Sequence, residues 1–134
     1  MEAYAWTGGR AVFASGSPFD PVTIEGVTYE PGQGNNAYIF PGLGLGVVTV
    51  RSRHVSDEMF LAASRVLAEE VSGDDFERGS IYPPLRHIRK VSLKIALAVA
   101  EVAFEQGLAG IERPENLEGF IQSQVYEPNY RSYV

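Results

Sequence analysis

Apolar residues recur at helical spacing through the second half of this 134-residue chain. Between Ser56 and Gly73 they return every three or four positions, which predicts an amphipathic helix with Ser56 as its N-cap. The longest pattern of this kind extends from about Leu85 to Gln106, and Gly107 closes it. We expect this second helix to have one buried face, formed by Ile88, Val91, Ile95, Ala98 and Val102.

Shorter signals complete the second half. Pro114 suits the first position of a final helix that carries Leu117, Phe120 and Ile121, and an aromatic, polar tail follows at residues 126–130. Between the two longer helices we expect a polar turn and a solvated acidic helix end, made by Glu69, Glu70, Asp74 and Asp75.

The first half of the chain carries strand signals instead. Residues 2–7 have the pattern of a helix end stopped by two glycines, and residues 10–14 form a mostly apolar run typical of a buried strand. Two short segments, 22–24 and 27–29, flank a Glu-Gly pair and predict a small β-hairpin, which Pro31-Gly32 ends. The chain is therefore predicted to be mostly α-helical, with a short N-terminal strand and a hairpin.

A glycine-rich apolar segment begins at Ala37 and is also predicted to be helical. Pro41 and three glycines each weaken such a helix in isolation, the glycines by about 1 kcal/mol apiece relative to alanine. Close helix packing is the simplest compensation, because Gly42, Gly46 and the small Ala37 let another backbone approach.

Composition and charge narrow the function classes. The formal net charge of −6 argues against nucleic acid as the main partner, and the one basic run, residues 86–90, is interpreted as a solvated helix start. The sequence has no cysteine, which excludes disulfides and thiolate chemistry. No apolar run reaches the roughly 18 residues that span a bilayer. We expect a cytoplasmic protein with neither nucleic-acid nor membrane partners, an organelle remaining open if a targeting segment precedes this sequence.

The candidate site is the pair Asn35 and Asn36, which follows the glycine turn 32–34. At a helix N-terminus, amide donors and the helix dipole favour an anion, and neutral amides orient a carboxylate without adding charge. We therefore expect these asparagines to bind a carboxylate. The alternative is that one of them merely caps the helix.

Other motifs are weaker. Residues 32–37 match the dinucleotide fingerprint G-x-G-x-x-A, but a tight hairpin precedes them and further helices follow, so no cofactor-binding turn is assigned. His54 and His87 lie far apart in the sequence and predict neither a metal site nor a catalytic pair. Residues 15–17 lack the flanks of a nucleophile elbow. We assign no catalytic, cofactor-binding or metal-binding residue.

The sequence resembles the malic enzymes, which are NAD(P)-dependent and oxidise and decarboxylate malate to pyruvate. Two blocks carry the most specific resemblance, Ser15–Phe19 and Gly32–Phe40. Further matching segments are Glu2–Trp6, Gly9-Arg10, Phe13-Ala14, Pro41–Gly46, Arg53–Asp57, Tyr82–Leu85 and Val91-Ser92.

The resemblance implies an α/β fold in three parts. Residues 1–34 would end a Rossmann-like NAD(P)-binding domain, residues 35–112 would form a helical return to the neighbouring active-site domain, and residues 113–134 would form a C-terminal helix and tail. The substrate-binding residues implied are Asn36, which faces malate in the active-site cleft, and its neighbour Asn35.

A complete malic enzyme, by the same resemblance, uses NAD or NADP with Mg²⁺ or Mn²⁺ for hydride transfer and metal-assisted decarboxylation. Its acid and base, its metal-binding carboxylates, its dinucleotide turn and a second malate-binding asparagine lie upstream of the matched region. We therefore expect a C-terminal fragment that holds no cofactor and is inactive alone. Its implied partners are malate or pyruvate, the remainder of the enzyme and further copies in a homo-oligomer.

Two other functions stay open from sequence. One is a free-standing helical module that oligomerises or interacts through its apolar helices and aromatic C-terminus. The other is a small-molecule carboxylate sensor that uses Asn35 and Asn36. Oligomers that bind no malate would favour the first, and malate-dependent shifts of the two amide resonances would favour the second.

Overall fold

The structure is a computed structural model that describes residues 2–127. Its helices confirm the mostly helical prediction for the second half of the chain. The elements in chain order are α1 (Glu2–Thr7), β1 (Ala14–Ser15), β2 (Val22–Ile24), β3 (Val27–Tyr29), β4 (Gly32–Gln33), a 3-10 turn (Asn36–Tyr38), α2 (Phe40–Thr49), α3 (Asp57–Glu69), α4 (Gly73–Glu77), a 3-10 turn (Leu85–His87), α5 (Ile88–Glu105) and α6 (Leu117–Ser123). Within this described part, none of the helices has both the length and the apolar character that crossing a bilayer requires.

The strands form two separate pairs. Strands β2 and β3 make the predicted antiparallel hairpin, with Val22 opposite Tyr29. Strand β1 pairs in parallel with β4, so Gly32 begins a strand and does not merely end the hairpin. The predicted strand at residues 10–14 is wrong in position. The backbone N–H groups of Arg10 and Ala11 bond back to Thr7 at the end of α1, which leaves only the following residues to pair.

Helix α5 is the centre of the core. It packs against α2 and α3, while α6 makes a smaller contact. The face predicted for this helix is partly right: Val91 and Ile95 are fully buried, whereas Ile88, Ala98 and Val102 are half-buried. The difference arises because neighbours cover α5 on more than one side. Small residues therefore share the buried surface: Ala96, Val99, Ala100 and Ala103.

Two glycines of α2 make the closest contact in this core. A Cβ atom on Gly42 would lie 2.6 Å from the carbonyl oxygen of Ser92, and one on Gly46 would lie 2.6 Å from that of Ala96. Both distances are far inside van der Waals contact, so α2 and α5 touch backbone to backbone. The prediction of close helix packing is confirmed at these two positions.

The acidic residues after α3 are not all solvated, contrary to the prediction. The Glu70 carboxylate pairs with Lys94 and, at 3.3 Å, with Lys90, both on α5. The hydrogen bond from Lys94 is the main reason that the pKa of Glu70 is lowered. Lys90 is thus engaged rather than simply solvated, and α3 is tied to α5 by charge as well as by packing.

Asp75 is buried, and helix α4 replaces the predicted polar turn. The Asp75 carboxylate accepts hydrogen bonds from the Ser72 hydroxyl at 2.7 Å and backbone N–H at 2.9 Å, and from Arg78 at 2.8 Å. Ser72 in return accepts from the Asp75 N–H, which completes a capping box. These donors, the Ser72 hydroxyl above all, lower the pKa of Asp75.

Two predicted helix starts need correction. Helix α6 begins at Leu117 and not at Pro114, because the Asn116 side chain caps it by accepting from the Gly119 N–H at 2.9 Å. Ser56 does occupy the N-cap position of α3, but its hydroxyl makes no capping hydrogen bond. An aromatic, polar tail was predicted at residues 126–130. The part of it beyond residue 127 lies outside the residues that the structure describes.

Replacing Gly42 or Gly46 by alanine should lower the free energy of unfolding by about 1–3 kcal/mol, because the added methyl group forces α2 away from α5. Gly44→Ala is the matched control in the same helix. A Cβ atom there meets nothing within 4 Å, so alanine should stabilise the helix by up to about 1 kcal/mol. Urea unfolding measures all three variants, and equal destabilisation by all of them would contradict a packing role for Gly42 and Gly46.

Asp75→Asn should cost about 1–3 kcal/mol of unfolding free energy at pH 7. Because folding lowers the Asp75 pKa, its stabilising contribution is complete above the ordinary carboxyl pKa of about 4 and is lost as the pH falls through the lowered value. The gap between variant and parent should therefore narrow in acid. Asp74→Asn is the control, since Asp74 is exposed in the same helix. A gap that does not change with pH would show that the charge of Asp75 is not what stabilises α4.

Candidate functional site

The candidate site is built on the turn that leaves strand β4. The Gly34 N–H donates to the Ser15 carbonyl oxygen at 2.8 Å, which continues the parallel pairing one residue past the strand. Asn35 then has extended backbone, with φ −112° and ψ 138°, and Asn36 opens the 3-10 turn that leads into α2. The two asparagines therefore lie where a strand ends and a helical segment begins, as predicted.

The structure separates the two asparagines by role. The Asn35 side-chain oxygen accepts a hydrogen bond from the Ala37 N–H at 2.8 Å, so Asn35 is the N-cap of the 3-10 turn. The capping alternative is thus realised at this position. The amide nitrogen of Asn35 has no hydrogen-bond acceptor among residues 2–127, and it stays available as a donor.

Asn36 is exposed, and its side chain makes no hydrogen bond to the part of the chain described. Both asparagines line an open cleft of about 490 Å³, whose other walls are Gly34, Ile39, Phe40, Phe60, Ser64, Leu67 and Tyr82. None of these lining residues carries a charge. The cleft therefore offers amide and hydroxyl groups against an apolar wall, which suits hydrogen bonding to an oxygen-rich ligand.

The glycine turn does not form a pyrophosphate cradle. A Cβ atom on Gly32 would lie 3.2 Å from Cδ2 of Tyr82, and one on Gly34 would lie 3.2 Å from its hydroxyl oxygen. The tyrosine ring already occupies the space that the missing side chains leave. In this chain the fingerprint glycines accommodate an internal aromatic side chain.

The other candidates do not come together. Among residues 2–127, no group of three or more His, Asp or Glu side chains could hold a metal ion. His54 and His87 are both exposed and lie on separate elements. The Ser15 hydroxyl accepts from the Ser17 N–H within its own loop, at 3.4 Å. The described residues thus supply neither a metal centre nor a nucleophile with its base.

Two tyrosines at the site escaped the sequence analysis. Tyr38 and Tyr82 stack with ring centroids 5.4 Å apart and planes 17° from parallel, and the Tyr38 hydroxyl donates to the Pro83 carbonyl oxygen. The local signal is that Tyr82 precedes Pro83-Pro84, and a pair of prolines does not indicate contact with a distant turn.

Comparison with known proteins gives a consistent result. Residues 1–104 match the family model described as the NAD-binding domain of malic enzyme. The NADP-dependent malic enzyme of Vitis vinifera is 57% identical over 133 residues, covering 98% of this chain and 22% of that protein. The chloroplastic NADP-dependent malic enzyme 4 of Arabidopsis thaliana is 56% identical, covering 98% of this chain and 21% of that protein. The NADP-dependent malic enzyme of Dictyostelium discoideum is 50% identical over 129 residues, covering 96% of this chain and 24% of that protein.

The chain spans about a fifth to a quarter of the length of these relatives. The match to the family of this Rossmann-like NAD-binding domain agrees with the α/β fold class that the resemblance implied. Overall identity is 50% or more in each of these three comparisons. The family model and the relatives agree, and the chain belongs to the malic enzyme family.

Proposed function

We propose that this chain works as the C-terminal part of a longer malic enzyme, which oxidises and decarboxylates malate to pyruvate with a dinucleotide and a divalent metal ion. The observation that carries the proposal is identity of 50% or more across nearly the whole chain to proteins named NADP-dependent malic enzymes. Those names favour NADP over NAD. The short share of each relative that the chain covers supports a contributing segment rather than the whole enzyme.

Within that enzyme, Asn36 binds a carboxylate of malate. Its exposed amide, with no partner in residues 2–127, offers two N–H donors to the cleft. Asn35 fixes the turn through its cap and adds a donor from its own amide nitrogen. A hydrogen bond from a neutral amide to a carboxylate orients the substrate and leaves the charge balance to other groups.

As the resemblance implies, most of the groups that bind the metal ion and the dinucleotide would lie in the rest of the enzyme. A bound metal ion would supply polarisation of the substrate oxygen, and a bound nicotinamide would supply the hydride acceptor. The contribution of this chain is to shape the cleft and orient the carboxylate.

The proposed organisation is that residues 1–34 end the NAD(P)-binding domain, residues 35–112 return to the active-site domain and residues 113–134 follow as helix and tail. The strands bear on the first of these parts. Parallel sheets occur almost only with several strands and with both faces covered. The described parallel pair β1–β4 has two strands, and it has exposed apolar side chains nearby at Trp6, Val12 and Phe19. Further strands from the preceding part of the enzyme would extend this pair and cover those side chains.

The purified 134-residue chain is expected to show no turnover with malate, NADP⁺ and Mn²⁺, because it carries the substrate-orienting amides without the groups that do the chemistry. Absorbance of NADPH measures the rate, with a full-length relative such as the Vitis vinifera enzyme as the positive control. A rate that stays with the chain through further purification steps would contradict the proposal of a contributing segment.

In the full-length enzyme that carries this segment, Asn36→Ala should raise the KM for malate by about tenfold to a hundredfold, the effect of losing a hydrogen bond to a charged group. The KM for NADP⁺ should not change. Asn35→Ala should also raise the malate KM, and it should in addition lower stability by about 1 kcal/mol for the lost cap. Gln122→Ala, which removes an exposed amide on α6, is the matched control. An unchanged malate KM in Asn36→Ala would remove this residue from the site.

A further inference from the structure

The side chain of Tyr82 lies against the turn that carries the two asparagines. Its ring and hydroxyl are within 3.2 Å of the positions where Gly32 and Gly34 would place Cβ atoms. Any side chain at either glycine would push the ring or the turn aside. The glycines therefore leave the room that this ring takes up, and the ring and the turn are closely packed.

The ring also supports the residues that follow the asparagines. Tyr82 stacks on Tyr38, the last residue of the 3-10 turn that Asn36 opens. Tyr38 is fully buried, and its hydroxyl donates to the carbonyl oxygen of Pro83, the residue after Tyr82. The 3-10 turn is thus bound to the Tyr82 segment by a stacked ring pair and a hydrogen bond.

The Tyr82 segment is itself anchored at its other end. The Ser80 hydroxyl donates to the Tyr82 carbonyl oxygen at 3.0 Å and accepts from the Tyr82 N–H at 3.3 Å. The Ser80 N–H donates to the carbonyl oxygen of Asp75 in α4 at 2.8 Å. Because Asp75 is buried in its capping box, the tyrosine is tied to a capped helix.

From this geometry we infer that Tyr82 is a positioning residue, which holds Asn36 at the malate cleft through the packing of its ring. The inference rests on the proposed function, since it assumes that Asn36 binds malate. The turn is fixed by β1 on one side, through the bond from Gly34 to Ser15, and by Tyr82 on the other. Removing the ring removes the packing on one side of the turn. Asn36 is then no longer held in a defined position relative to the substrate.

The test is a double-mutant cycle between Tyr82 and Asn36 in the full-length enzyme, read out as the KM for malate and the KM for NADP⁺. Tyr82→Ala should raise the malate KM by about tenfold or more, since a misplaced binding group loses much of its effect. Tyr82→Phe keeps the ring and should retain the parent value. The variant with both Tyr82→Ala and Asn36→Ala should match Asn36→Ala alone, because Tyr82 acts through Asn36.

Two further variants control for the loss of an unrelated tyrosine and for a Tyr82→Ala variant that does not fold. Tyr126→Ala removes a tyrosine that is 81% exposed and should leave both KM values unchanged. If Tyr82→Ala does not fold, Tyr82→Leu repeats the cycle, because leucine keeps apolar volume without a flat ring. General damage to the enzyme would raise the NADP⁺ KM as well, whereas displacement of Asn36 raises the malate KM selectively.

The outcomes separate this inference from the proposed function. An unchanged malate KM in Tyr82→Ala beside a raised one in Asn36→Ala overturns the inference and leaves the proposed function standing. Additive effects, or a Tyr82→Phe variant as impaired as Tyr82→Ala, also overturn it, the latter because the hydroxyl would then act. An unchanged KM in Asn36→Ala overturns the proposed substrate role, and with it any action of Tyr82 through Asn36.

Discussion

The direct contact between the backbones of α2 and α5 fixes where the candidate site lies. At Gly42 and Gly46 no side chain separates the two helices. This contact fixes the position of α2 along the axis of α5 and its orientation around that axis. Helix α2 begins just after the 3-10 turn that Asn36 opens. The start of a helix held this closely cannot shift without opening the core. Substituting these glycines would therefore move the cleft as well as weaken the fold.

Local chemistry made part of this fold predictable. The hairpin β2–β3 and the helix α5 were predicted closely. The turn sequence of the hairpin and the apolar periodicity of α5 each lie within one continuous segment of the chain. Some wrong predictions missed a local cap, as at Asn116, and others depend on distant residues. The strand position was decided by β4, which lies some 18 residues from β1, and Glu70 was judged solvated because Lys90 and Lys94 are remote in sequence.

The candidate site shows the same division. That the two asparagines lie at a helix start could be predicted, because a glycine turn followed by amides is a local pattern. The different roles of Asn35 and Asn36 could not, since one backbone N–H group, that of Ala37, selects which amide becomes the cap. The packing of Tyr82 on the turn could not be predicted either. Tyr82 contacts glycines about 50 residues earlier in the sequence, and a glycine does not indicate which distant side chain packs against it.

Under the proposed function, the uncharged wall of the described cleft would orient the substrate and would not balance its charge. Malate carries two carboxylates, and moving them from water to an apolar wall is costly unless opposite charge or strong donors meet them. The amides of Asn35 and Asn36 can direct a carboxylate, but they cannot balance its charge. The side chains that line the cleft with them are apolar or hydroxyl-bearing. Under the proposed function, the charge of malate would be balanced by cationic groups outside the described cleft wall. Those groups would then set the electrostatics of the site, while the amides on the turn would orient the substrate.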